Sequence, residues 1–125
     1  MLSATNFNNW WYGINARDLD PDKINVIELN PTEVEQLSEN SEIELSLCYI
    51  TASDKTRLLR CLNREKDPDV DEIVRRYQTD KKDFDDILNR IDPDIKVCIL
   101  NTDALTTHEC ITATKFWLKE NKLID

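Results

Sequence analysis

The stretch Ser46–Tyr77, SLCYITASDKTRLLRCLNREKDPDVDEIVRRY, decides how the chain is read. Its opening, SLCYI, closes a run from Ile43 to Ile50 that is apolar on both faces towards its end, the pattern of a central parallel strand. Ser53 stands where an N-cap belongs, and Asp54 suits the positive end of the helix dipole. Leu58, Leu59 and Leu62 then recur at helical spacing as far as about Arg64. The charged break EKDPD (65–69) stops that helix, because Pro68 disfavours helical geometry at Asp67. A second helix follows. Five arginines, Arg57, Arg60, Arg64, Arg75 and Arg76, lie in or beside the break.

Working outward, the preceding segment gives a short β-branched strand, Ile24–Leu29, and a helix from Pro31 to about Asn40. That helix is capped by Asn30, with Glu33 three residues on. Downstream, Val70, Ile73, Val74, Tyr77, Phe84, Ile87, Leu88 and Ile91 keep helical spacing, so the periodicity predicts one long helix ended by Asp92-Pro93. The polar interval QTDKKD (78–83) marks a kink or a projection into solvent. Ile95–Leu100 is the third predicted strand. Thr106 and Glu109 have capping-box spacing at the head of a last helix, whose expected buried side is Ile111, Phe116, Trp117 and Leu118. Residues 1–23 read as irregular, with an aromatic cluster, Trp10, Trp11 and Tyr12, before the single glycine, Gly13. That cluster suits either a hydrophobic plug or a contact with a base or a partner protein. The order β-α-β-α-α-β-α predicts one α/β domain over residues 1–125. Its three layers are a small, mainly parallel sheet of about three strands with helices on both faces.

Composition narrows the function classes. The chain has 125 residues, 40% hydrophobic and 33% charged, which suits one globular domain. Its net charge of −9 argues against binding nucleic acid through phosphates. The same charge would suit an acidic mimic of DNA that occupies a basic partner. One glycine cannot build a phosphate-cradling loop, and neither GxxxxGK[ST] nor GxGxxG occurs. The four cysteines, Cys48, Cys61, Cys98 and Cys110, form no CxxC pair and read as free thiols, with no metal site expected. His108 is the only histidine, so no Ser/His/Asp, Cys/His or HExxH arrangement is available. The N-terminal MLSATNFNNWWYG lacks a basic region followed by an apolar core. No secretory signal is therefore expected, and cytoplasmic residence is the default.

These segments together resemble the latter two-thirds of guanylate kinase and related P-loop nucleoside monophosphate kinases, over about residues 10–121. KINVIELNPTEVEQL is similar to the family's strand, turn and helix. YITASDKTRLLRCLNREKDPDVDEIVRRY is similar to its strand, helix, lid and following helix, and VCILNTD to its last strand. The resemblance implies lid arginines at Arg60 and Arg64 and a post-lid pair at Arg75 and Arg76. It also implies an adenine-side asparagine at Asn101 and an acceptor-phosphate grip at Tyr12-Gly13. Arginine suits such roles because its planar fork binds phosphate bidentately. Carboxylates at Glu65, Asp69, Asp71, Glu72 and Asp80 offer the same arginines partners within the protein.

The departure from the family is the missing P-loop strand, its lysine and the helix behind it, the parts that hold donor phosphates and magnesium. The expectation is therefore a non-catalytic kinase-like domain without a cofactor. It would act by protein–protein contact as a regulator or inhibitor of the kind phages and other mobile elements encode. Residual binding of a purine nucleotide such as GMP or dGMP, and acidic mimicry of DNA, are the alternatives. Loss of the P-loop strand would also leave a slot in the sheet. Trp10, Trp11 and Tyr12, a rearranged sheet, or a second chain in a homodimer would have to fill it.

Overall fold

The computed structural model describes residues 3–7 and 10–125, and for residues 5–7 and 10–12 the backbone alone. The chain forms two compact units. The first comprises Met1–Ser46 and Asp86–Lys96, the second Leu47–Asp85 and Val97–Asp125.

In the first unit, strands β1 (Ser3–Phe7) and β2 (Trp10–Ile14) pair antiparallel, in a register running from Ser3 opposite Ile14 to Phe7 opposite Trp10. Within the segment expected to be irregular, residues 3–7 and 10–14 are therefore paired strands. Helix α1 (Pro31–Ser38) begins as its sequence dictates: the Asn30 side chain accepts from Glu33 N at 2.9 Å, and Pro31 occupies the first turn. Val34 and Leu37 are its buried residues, together with Pro31. The Gln36 side chain fastens α1 to β1. Its Oε1 accepts from Ala4 N at 2.7 Å, and its Nε2 donates to Ala4 O at 2.9 Å. A side-chain amide thus takes the place that a further strand would have. Ser3, buried, donates to Glu33 Oε2 at 3.2 Å. The returning segment 86–96 adds the buried Ile87 and Ile91, and an ion pair from Arg90 to Glu35 at 2.9 Å.

Ile24–Leu29 is not a strand. It has no regular secondary structure, and Val26 is 89% exposed. The β-branched composition expresses a preference, but a strand exists only where a neighbour takes its backbone groups. No ladder partner is present for this segment among the described residues.

The second unit holds β3 (Ser46–Thr51) and β4 (Lys96–Asn101), apart from their first residues. They form a two-stranded parallel sheet, one strand fewer than expected. Helices α2 (Asp54–Arg64), α3 (Val70–Asp83) and α4 (Thr107–Glu120) complete it, so the protein is mixed α/β. Each helix has a side-chain cap. Ser53 accepts from Thr56 N, Asp69 accepts from Glu72 N, and Thr106 and Glu109 form a reciprocal capping box. Ile73, Cys98 and Leu100 are buried, and the rings of Tyr49 and Phe84 meet at 6.4 Å.

Two further expectations need correction. The long helix ends at Asp83 rather than at residue 91. It runs unbroken through the polar interval 78–83, and Asp86 adopts the left-handed conformation at φ 59° before a 3-10 turn at Ile87–Asn89. Lys81 and Lys82 suit the negative end of the dipole, whereas Asp83, Asp85 and Asp86 oppose its continuation. Aspartate also tolerates the left-handed region better than most residues. On α4, Ile111 and Phe116 are exposed, at 49% and 65%, while Trp117 and Leu118 are half-buried.

These burials separate two variants. Leu37→Ala should cost about 2–5 kcal/mol by urea denaturation, as expected for a truncated core leucine. Val26→Ser should stay within about 0.5 kcal/mol of wild type, as an exposed position does and a buried strand would not.

Candidate functional site

Arg57, Arg60 and Arg64 are spaced three and four residues apart on α2, so they share one face of the helix. On α3, Ile73, Arg76, Tyr77 and Asp80 are spaced in the same way. The two helices pack together, and these faces line an open groove of about 410 Å³. Cys61 and Ile73 give it an apolar lining, and Glu65 at the end of α2 completes it. Four guanidiniums thus meet two carboxylates, Glu65 and Asp80, in a protein whose net charge is −9.

The four groups are held differently. Arg57 Nη2 donates to Asp54 Oδ1 at 2.8 Å, and its guanidinium carbon lies 5.2 Å from the centre of the Tyr77 ring. Its Nε is buried and has no hydrogen-bond partner among the described residues. Arg60 reaches to the turn after β4: Nη1 donates to Thr102 Oγ1 at 2.7 Å and Nη2 to Thr102 O at 3.1 Å. Arg76 Nε donates to Glu72 Oε1 at 3.0 Å. Arg64 has no hydrogen bond or ion pair among the described residues.

Two carboxylates organise the surroundings. Asp54 accepts from Lys81 Nζ at 2.8 Å and from Arg57, linking α2 to α3. The Lys81 ammonium first, then the Arg57 guanidinium, hold its carboxyl down to about 2. Glu72 takes a fork from Arg75, Nε to Oε2 at 2.9 Å and Nη2 to Oε1 at 2.6 Å, as well as the bond from Arg76. Arg75 first, and Arg76 after it, hold Glu72 down to about 2. Arg75 is absent from the groove lining. Of the expected phosphate contacts, then, Arg60, Arg64 and Arg76 come together, and Arg75 is spent on a neighbouring carboxylate.

Asn101 ends β4, and its Oδ1 accepts from Asp103 N at 3.0 Å, so its amide shapes the following turn. Trp10, Trp11, Tyr12 and Gly13 belong to β2 in the first unit, whereas the groove is built within the second. The side chains of Trp10, Trp11 and Tyr12 lie outside the described residues.

Sequence reasoning missed Asp103 and Thr102. Asp103 Oδ2 accepts from Ser53 N at 2.6 Å, and hydrogen bonds from Thr56 and Ser53 lower its pKa. The turn after β4 thereby holds the start of α2. The available signal was that ASD (52–54) and NTD (101–103) both follow apolar strand runs, so two turns rich in capping side chains leave neighbouring parallel strands. Among the described residues, no group of three or more His, Cys, Asp or Glu side chains could hold a metal ion. No helix among them is long and apolar enough to cross a membrane. No family model matches the chain, and no curated protein or solved structure matches it either.

Asp54 sets a pH dependence. Its carboxyl titrates lower in the folded than in the unfolded chain, so its contribution is present above the unfolded value of about 4. That contribution is lost as pH falls through the folded value of about 2. In acid unfolding between these limits, wild type should lose stability more steeply than Asp54→Asn. Parallel curves would show that the link to Lys81 and Arg57 contributes nothing.

Proposed function

We propose that this chain is a non-catalytic binding module, whose α2–α3 groove docks a carboxylate-rich segment of a protein partner. The observation that carries this reading is a cluster of four guanidiniums on an acidic protein, with Arg64 unpaired and Arg57 Nε without an acceptor. A buried donor without an acceptor, such as Arg57 Nε, is costly, and the exposed Arg64 guanidinium is unpaired, so a ligand that supplies carboxylate oxygens finds a partner at each. The groove is open, and Arg57, Arg60 and Arg76 are each tethered by their own contact while Arg64 is not, which suits several separated carboxylates. It runs against DNA mimicry at this face, because the groove is where positive charge collects. The rest of the acidic surface would repel non-specific anions.

A second reading is a purine nucleoside monophosphate bound without turnover. A volume of about 410 Å³ falls within the range of small-molecule sites. Arg60, Arg64 and Arg76 supply phosphate donors, although Arg57 already covers the Tyr77 ring. Both readings accord with the resemblance to guanylate-kinase-like proteins without their P-loop. The two-stranded parallel sheet and its helices would then be the remnant of a three-layer kinase framework, kept in the cytoplasm as a scaffold.

Titration with a polyglutamate peptide and with GMP or dGMP separates the two. The peptide should bind with an affinity that falls as salt rises, and Arg64→Glu should weaken it roughly tenfold, about 1.4 kcal/mol. Arg64 is the position to change, because replacing Arg60 would also cut the bond to Thr102. Tight GMP binding without peptide binding would select the second reading, and binding of neither at millimolar ligand would end both. Phosphoryl transfer from ATP to GMP should stay at background. Turnover lost in Arg64→Glu would overturn the non-catalytic assignment.

A further inference from the structure

Cys48 and Cys98 occupy β3 and β4, neighbouring strands of the parallel sheet. The ladder fixes their relation. Thr102 N donates to Thr51 O at 2.8 Å. In a parallel pair that bond joins a carbonyl to the residue following its opposite number, so Thr51 lies opposite Asn101. Three residues back on each strand, Cys48 lies opposite Cys98, and the two side chains leave the same face of the sheet. Neighbouring strands run about 4.8 Å apart. That spacing lies inside the roughly 4.4–6.8 Å range of Cα separations that a disulfide spans.

The two thiols differ in environment. Cys48 is exposed, with Thr114 Oγ1 of α4 standing 3.9 Å from its Sγ, whereas Cys98 is buried at 8% exposure. Burial first, and the neighbouring Cys48 after it, push the Cys98 thiol up. An accessible sulfur therefore stands beside a sheltered one, the arrangement of an attacked cysteine and its resolving partner.

We propose that Cys48 and Cys98 form a reversible cross-strand disulfide when the protein meets a hydroperoxide. The Cys48 thiolate attacks the peroxide oxygen, the O–O bond breaks, and Cys48 becomes a sulfenic acid as hydroxide departs. Cys98 sulfur then attacks Cys48 sulfur, the S–O bond breaks, and the oxygen leaves as water with the Cys98 proton. Overall, two thiols and one hydrogen peroxide give one disulfide and two waters. The crosslink joins β3 to β4 three residues before Thr51 and Asn101. The proposal does not depend on the groove or on its ligand.

The test is peroxide treatment of the full chain, followed by blocking of free thiols and peptide mapping without reductant. The expected product is an intramolecular link between the peptides holding Cys48 and Cys98, lighter by two hydrogens, which dithiothreitol removes. Cys61 and Cys110 should remain blockable. In Cys98→Ser, oxidation should stop at a Cys48 sulfenic acid captured by dimedone. The wild-type map stands alone should that variant fail to fold. Sulfinic acid at Cys48 with Cys98 still free, or a dimer linked through Cys48, would overturn the proposal.

Discussion

The hydrogen bonds that tie together the carboxyl ends of β3 and β4 are the constraint on which the second unit depends. Thr102 N meets Thr51 O, Asp103 accepts from Ser53 N, and Arg60 clasps Thr102 by its side chain and its carbonyl. Thr102 Oγ1 also donates to Thr51 O, so one threonine joins both strand ends to α2. A two-stranded sheet has little pairing of its own to hold it. Here the exits of the strands supply what a third strand would have given. The same bonds set where α2 starts, and with it the direction in which Arg57, Arg60 and Arg64 face. In open α/β sheets this end of the strands is also where ligands gather.

The acidic surplus and the arginine cluster are two sides of one arrangement. Asp54 and Glu72 each hold two cations, which fixes Arg57, Arg75, Arg76 and Lys81 without neutralising the groove. Exposed ion pairs of this kind add little stability individually. Their effect is positional, keeping long side chains from spreading into solvent. Arg64 is at the last position of α2, beside the break, and forms no ion pair among the described residues.

What could be read from the sequence was what neighbouring residues decide. The caps at Asn30, Ser53 and Thr106, the capping box, and the stop at EKDPD all depend on groups a few residues apart, and all are present. The shared face of the α2 arginines followed from helical spacing alone. The failures came where strand pairing and tertiary packing, rather than composition and spacing, decide. Ile24–Leu29 has a strand's composition without a partner, whereas Ser3–Phe7 and Trp10–Ile14 found one in each other. Ile87 and Ile91 kept α3's periodicity, although they are buried in the first unit. The tether from Arg60 to Thr102 spans 42 positions, beyond any local pattern.

The segment Asp86–Lys96 leaves the second unit's chain to join the first and then returns. Neither unit is thus a contiguous length of polypeptide, and the backbone passes between them after Ser46, Asp85 and Lys96. A single cut at any one of these passages leaves a covalent path through the others. Separating the units genetically would require excising 86–96 and rejoining Asp85 to Val97, an operation that also removes Ile87 and Ile91 from the first unit's core. During synthesis the first unit would have to wait for nearly fifty further residues before its last pieces emerge, so its completion is bound to that of its neighbour.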